Sequence, residues 1–250
     1  MKNFDEEKGK KADREILHGK KIAQIDPELI WGWKTPAGRL RAKRRAQLII
    51  ESAQLKKGIT ALEIGCGMGA FTEMFAASGA KIVAVDISKE LLDLAREKNL
   101  PAEQVQFLEK RFEDCDSIGP FDAIIGSSVL HHLDIKPALD NIYNLLKPNG
   151  IMSFTEPNML NPQIAIQKNV LWLKRKMGDS PDETAFMRRP LSRLLEQTGF
   201  VDIQITPFDW LHPAIPVKFI DTVARIGLFL EKVPFIREFS GSLHIFGRRA

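Results

Sequence analysis

The chain has 250 residues, 44% of them hydrophobic and 27% charged, with a formal net charge of +4. That apolar content excludes extended disorder and suffices for one large α/β domain or two small ones. No apolar run approaches the ~18 residues of a membrane-crossing helix, residues 1–21 show no secretory leader, and two cysteines, Cys66 and Cys115, allow neither a disulfide framework nor a cysteine metal centre, so the expected setting is cytoplasmic.

The positive charge is unevenly placed. Residues 1–45 hold thirteen Lys/Arg against seven Asp/Glu, and the remainder is slightly acidic. Lys34, Arg39, Arg41, Lys43, Arg44 and Arg45 follow one another without an acid between them. Such a run fits a solvated helix face, or a surface for phosphate-rich or carboxylate groups.

From residue 60 the pattern alternates between strand and helix. Thr60 to Ile64 is a short apolar run closed by Gly65, and Ala70 to Ser78 has helical spacing and stops at Gly79. Lys81 to Val85 predicts a second strand, with Ser88 as N-cap of the helix behind it. Val105 to Leu108 and Phe121 to Gly126 predict strands three and four. A helix over Lys136 to Leu146 ends at the Pro148-Asn149-Gly150 turn, and Ile151 to Thr155 follows as strand five. This order predicts a parallel sheet covered by helices on both faces. Residues 158–190 then break the rhythm with a basic-aromatic stretch, Val170 to Met177, and no strand. Leu191 to Gln197 is a short helix ended by Gly199, and Val201 to Ile205 is strand six. Residues 207–240 form a second insertion with an amphipathic helix around Phe219, Ile220, Val223, Gly227 and Leu230, before a last strand at Leu243 to Gly247. The expected organisation is a basic helical arm over 1–54 and one domain over 55–250, with insertions 158–190 and 207–240 as a lid.

The strongest chemical signal is Glu63-Ile64-Gly65-Cys66-Gly67-Met68-Gly69, after a strand and opening a helix. Glycines there let the backbone turn sharply and let a ligand lie against bare main chain. Asp86 ends the next strand, 21 residues after Gly65, where an acid can accept hydrogen bonds from ribose hydroxyls. A nucleoside-containing cofactor is implied. Dinucleotide sites favour G-x-G-x-x-G, whereas the third glycine here arrives one residue early. Glu63 also disfavours a nearby pyrophosphate and suits an ammonium group.

These residues resemble the first motif of class I S-adenosylmethionine-dependent methyltransferases. Val85-Asp86-Ile87-Ser88, the stretch Phe121 to Leu133, and Leu145 to Ile151 resemble the later motifs in the same order. The resemblance covers about residues 55–157, with 190–206 and 242–248 as the expected closing elements. It implies a Rossmann-like sandwich with a seven-stranded, mostly parallel sheet whose last strand is antiparallel and inserted beside the sixth. It implies S-adenosyl-L-methionine as cofactor and S-adenosyl-L-homocysteine as product. Glu63, Gly65, Cys66, Gly67 and Gly69 would form the floor of that site, Asp86 would hold the ribose and Ile87 would pack on adenine. Lys110-Arg111-Phe112 replaces the family's Gly-Asp-Ala, which leaves adenine to main chain at Phe112 or to Glu113, with Arg111 also among the expected cofactor-binding residues. Ser127 and Ser128 would lie near the cofactor amino group, and Arg39 would reach its carboxylate. Trp31 and Trp33 would close the mouth or anchor the arm.

Methyl transfer from a sulfonium needs alignment, and a base only when the nucleophile keeps a proton. His131 and His132 are the base candidates, against a packing role for the pair. Glu156 could orient a substrate, and Trp172 and Trp210 belong to aromatic insertions that would cover the acceptor. No metal-ligand pattern stands out. The leading expectation is O- or C-methylation of a small apolar, or lipid- or glycan-linked, acceptor by a monomer or homodimer, with contact to a membrane surface as a further partner. DNA is not expected. RNA methylation, motivated by the basic arm, is disfavoured by the body's charge and the lack of an RNA-binding module. A non-catalytic cofactor-binding module is the remaining alternative.

Overall fold

The computed structural model describes residues 2–170, 172–174 and 184–250. Its sheet has seven strands in the order β3-β2-β1-β4-β5-β7-β6. These are β1 (Thr60–Ile64), β2 (Lys81–Asp86), β3 (Val105–Glu109), β4 (Phe121–Ser127), β5 (Leu146–Pro157), β6 (Phe200–Phe208) and β7 (Ser242–Arg249). β1 to β5 run parallel, and β7 is antiparallel to both β5 and β6. Order and direction match the expectation from the resemblance.

The central strands are apolar on both faces because helices cover both. On one face Leu62, Ile64, Ile124 and Phe154 meet α6 (Ile135–Leu145) and α8 (Arg188–Thr198) through Leu139, Ile142, Leu191 and Leu195. On the other, Ala61, Ile82 and Ile125 meet α3 (Pro36–Ser52), α4 (Ala70–Ala76) and α5 (Lys89–Arg96). Spacing explains the helices: Ala138, Leu139, Ile142 and Leu145 lie on one face of α6. Caps set their ends. Ser88 Oγ accepts from Leu91 N at 3.3 Å at the start of α5, and Gly199 ends α8 with φ 104°.

The first segment is partly integral to this body. α3 buries Ala46 and Ile49 among the sheet residues, and Ser52 Oγ reaches Ser153 Oγ of β5 at 2.7 Å. Before it, α1 (Lys2–Ala23) crosses to α5, and α2 (Pro27–Ile30) leads into α3. The contact of α1 with α5 requires Gly19, where a Cβ would stand 2.7 Å from Ser88 Oγ. In the first insertion, α7 (Pro162–Asn169) follows β5 directly; of the stretch Val170 to Met177, residues 171 and 175–177 lie outside the described residues. The second insertion carries α9 (Ile220–Leu230) and begins two residues later than expected, because β6 continues to Phe208.

Two ionisable groups are buried in the α3–α4 layer. Burial pushes the Glu63 carboxyl up to about 8, helped by the charge of Asp86 and opposed by Thr72. Burial pulls His244, which lies 3.1 Å from Ser52 Oγ, down to about 4. Between 4.5 and about 8 the folded state holds the Glu63 proton that the unfolded chain releases, so this group costs stability as pH rises. His244 acts in the other direction, because the unfolded chain takes up its proton first as pH falls from 6.5 toward about 4.

Two outcomes follow. Between about pH 5 and pH 8, Glu63→Gln should gain on the wild type by about 3 kcal/mol in urea unfolding. Parallel profiles would show that Glu63 is ionised within the fold across that range. Gly19→Val should release α1 from α5, read as faster hydrogen exchange over residues 11–22, while the global unfolding midpoint moves little. Unchanged exchange would mean that α1 is not held by this close approach.

Candidate functional site

A cavity of about 820 Å³ opens at the C-terminal ends of β1, β2 and β4, where the sheet order reverses. Its floor is the turn after β1. Gly65 has φ 65° and Gly67 φ 52°, left-handed conformations that glycine adopts without strain. Space excludes a side chain as well, since a Cβ on Gly65 would lie 2.4 Å from Val129 Cγ2. Gly67 faces the ring of Trp31, 3.2 Å from where a Cβ would stand. Cys66 lines the cavity but is no nucleophile, because burial holds its thiol well above the ordinary range.

Asp86 ends β2 with its carboxylate fixed by main chain. Oδ2 accepts from Gly67 N at 2.7 Å and Oδ1 from Ser88 N at 2.8 Å. Burial raises its pKa, while those two bonds and nearby His132 oppose the rise. Ile87, Arg111, Phe112 and Glu113 line the adjoining wall, and Ser127 and Ser128 line the wall below β4. Ser127 Oγ accepts from Thr155 Oγ1 at 2.9 Å, and Ser128 Oγ accepts from Arg45 Nη1 at 3.1 Å.

His131 and His132 follow β4, with ring centroids 4.2 Å apart, and both line the cavity. His131 is 5% exposed, and its Nδ1 lies 2.6 Å from Glu156 Oε2. The other oxygen of Glu156 accepts from Val129 N and Leu130 N, each at 2.8 Å. His132 Nδ1 pairs instead with Glu15 of α1 at 3.1 Å. α1 therefore forms part of the wall, together with Trp31, Trp33 and, from the second insertion, Trp210 to Ala214.

Five sequence expectations need correction. Glu63 does not line the cavity: β1 alternates, so Glu63 points with Ala61 into the α4 layer, 2% exposed, and leaves Oε2 without a hydrogen-bond partner. Gly69 is the N-cap of α4 and faces Ala95 of α5, 3.1 Å from a Cβ built on it. Glu156 is fully buried and holds the β4 turn rather than reaching the cavity. Trp172 is 65% exposed and outside the cavity wall. Arg39 donates outward to Lys34 O, and from the cationic run of α3 it is Arg41 and Arg45 that line the cavity.

The cationic run Lys34 to Arg45 does not by itself single out this arginine pair. Arg41 Nε donates to Asp209 Oδ2 at 2.8 Å, and both guanidiniums stack on Trp33, at 5.6 and 5.4 Å from the ring centroid. Burial and the charge of Arg41 pull Arg45 down to about 10, against the attraction of Asp209 and Glu156. Its Nε is buried without a partner. The available signal was helical phase: Ala42, Ala46 and Ile49 mark the inward face, and Arg45 lies on it.

Comparison with known proteins agrees with this geometry. The family described as "Methyltransferase domain" matches over residues 62–152. Nodulation protein S of Rhizobium tropici is 28% identical over 60% of this chain and 63% of its own length. The ubiquinone biosynthesis O-methyltransferase of Xylella fastidiosa is 34% identical over 48% of this chain and 52% of its own. The chain thus spans less than two thirds of either curated relative. Among solved structures, the N-methyltransferase NodS of Bradyrhizobium japonicum, in complex with S-adenosyl-L-homocysteine, superposes with a TM-score of 0.61 at 16% identity, covering 94% of this chain and 97% of that one. With its sheet order, glycine turn and family match, the chain carries a class I S-adenosylmethionine-dependent methyltransferase domain.

Proposed function

We propose that this protein transfers a methyl group from S-adenosyl-L-methionine to a hydroxyl or an acidic carbon of a small, largely apolar acceptor, with His131 as general base. The observation that carries the base assignment is the 2.6 Å contact between His131 Nδ1 and buried Glu156 at the cavity wall.

The residues present fit the cofactor. Each Asp86 oxygen takes one main-chain N–H and keeps acceptor capacity for vicinal hydroxyls. Gly65 and Gly67 present bare backbone beside it. Asp86 would hold the ribose, Ile87 and Phe112 the flanks of adenine, and Arg41 and Arg45 the carboxylate. The unpartnered Arg45 Nε supports that last assignment. When bound, the cofactor supplies a methyl group already activated by the sulfonium.

Glu156 takes donors on both oxygens, so His131 donates from Nδ1 and carries its basic lone pair on Nε2. The proton leaving the acceptor as the new bond to carbon forms passes to Nε2. Glu156 thereby acts as a positioning residue that fixes the tautomer and stabilises the imidazolium. Trp210, Leu211, Pro213 and Ile164 line the outer part of the cavity and support an apolar acceptor. An amine acceptor is the second reading, favoured by the similarity to nodulation protein S. A neutral amine needs no base, so a base-dependent reaction separates the two.

Asp86→Ala should weaken binding of S-adenosyl-L-methionine and its demethylated product at least about tenfold by calorimetry, with an unchanged melting temperature. Equal affinity would remove Asp86 from the ribose site. With methyl-labelled cofactor and a panel of hydroxylated and amine acceptors, His131→Ala should lower kcat by about 100-fold or more while cofactor affinity stays within a factor of about two. Turnover of amines alone, indifferent to His131→Ala, would replace the hydroxyl reading with the amine reading.

A further inference from the structure

The insertion between β6 and β7 keeps its large apolar side chains outside. Phe219, Ile226, Leu228, Phe229, Phe235 and Phe239 are all exposed, Phe229 to 65% and Phe235 to 85%. Within α9 only Ile220 and Gly227 are buried, and Gly227 lies against Trp210. Polar ties hold the segment to the body instead. Arg44 grips Glu231 through both nitrogens, with Nη1 to Oε1 at 2.7 Å, and the same Oε1 accepts from Asp209 N at 2.9 Å. Asn161 Nδ2 donates to Phe239 O at 2.8 Å, and Arg188 pairs with Glu238 at 3.0 Å. The aromatic rings are thus left over by the fold. So dense an exposed apolar group marks a contact surface.

Backbone strain points the same way. Phe235 has φ 66° and ψ −47°, and Ile236 N donates to Pro234 O at 2.9 Å, a γ-turn of positive φ that is rare and costly for a bulky residue. The strained turn holds its aromatic ring out in solvent.

Charge selects the occupant. Lys218, Arg225 and Lys232 stand among the exposed side chains, with Lys218 Nζ 4.9 Å from the Phe219 ring centroid. Two of the three acids in residues 217–239, Glu231 and Glu238, are turned toward Arg44 and Arg188. Among the described residues no acid pairs with Lys218, Arg225 or Lys232. We propose that residues 217–239 dock the protein on an anionic lipid bilayer, with Phe229 and Phe235 entering the headgroup–acyl boundary and the three cations lying against lipid phosphates. This inference is independent of methyl transfer.

The test is co-sedimentation of the full chain with vesicles of phosphatidylcholine, alone or mixed with phosphatidylglycerol. The protein should associate with the mixed vesicles only, and salt should weaken the association. The double variants Phe229→Ser/Phe235→Ser and Lys218→Glu/Lys232→Glu should each weaken it about tenfold or more, with melting temperatures near that of the wild type. No association with mixed vesicles overturns the proposal, as does association that both variants leave unchanged. A concentration-dependent dimer abolished by Phe229→Ser/Phe235→Ser would also overturn it, by assigning the face to a second copy.

Discussion

Between the turn after β1 and the turn after β4 there is no room for a side chain. Gly65 lies so close to Val129 that a Cβ would sit 2.4 Å from its methyl group. The sheet imposes this closeness, because β1 and β4 are neighbours whose connections depart to opposite sides. A group resting on the glycine turn is therefore within reach of whatever the β4 turn presents. In this chain the β4 turn presents Ser128, His131 and His132. The glycine turn and the candidate base share one rim for that topological reason.

The β4 turn is itself held from behind. Ser128 adopts φ 58°, unusual for a residue with a side chain, and its N–H donates to Thr155 O at 2.7 Å. The next two N–H groups and the His131 ring converge on Glu156. A buried carboxylate without partners costs several kcal/mol, about what three good hydrogen bonds offset. Glu156 thus earns its burial by organising the turn, and the His131 ring orientation follows from where β5 ends. A second buried network, from Arg41 and Arg45 through Asp209, closes the opposite wall and joins α3 to the second insertion.

Much of this was legible in the chain because it is local. The glycine turn, Asp86 at the next strand end and Ser88 as a cap each depend on a few neighbouring residues, and short apolar runs bounded by turn residues mark the strands. The errors arose where the outcome depends on distant residues. Glu156 meets its partners 25 to 27 positions away, so a carboxylate at a strand end looked free to meet substrate. Arg41 finds Asp209 168 positions away, and only the phase of α3 could have separated it from Arg39. Composition marked Trp172 as a lid residue, but aromatic character does not say which side of a segment faces inward. Glu63 resembles a cofactor contact by motif, yet strand alternation turns it into the helix layer.

Docking of α1 on α5 has a consequence for how the chain is made. The residues that receive Gly19, Ser88 and Leu91, are synthesised roughly seventy positions after it, about 4–14 s later at ordinary translation rates. Throughout that interval α1 has no surface to cover. A helix that relied on a broad apolar face would spend those seconds as an aggregation hazard. α1 is instead rich in Lys, Asp and Glu, so it can stay in water until α5 exists to receive Gly19.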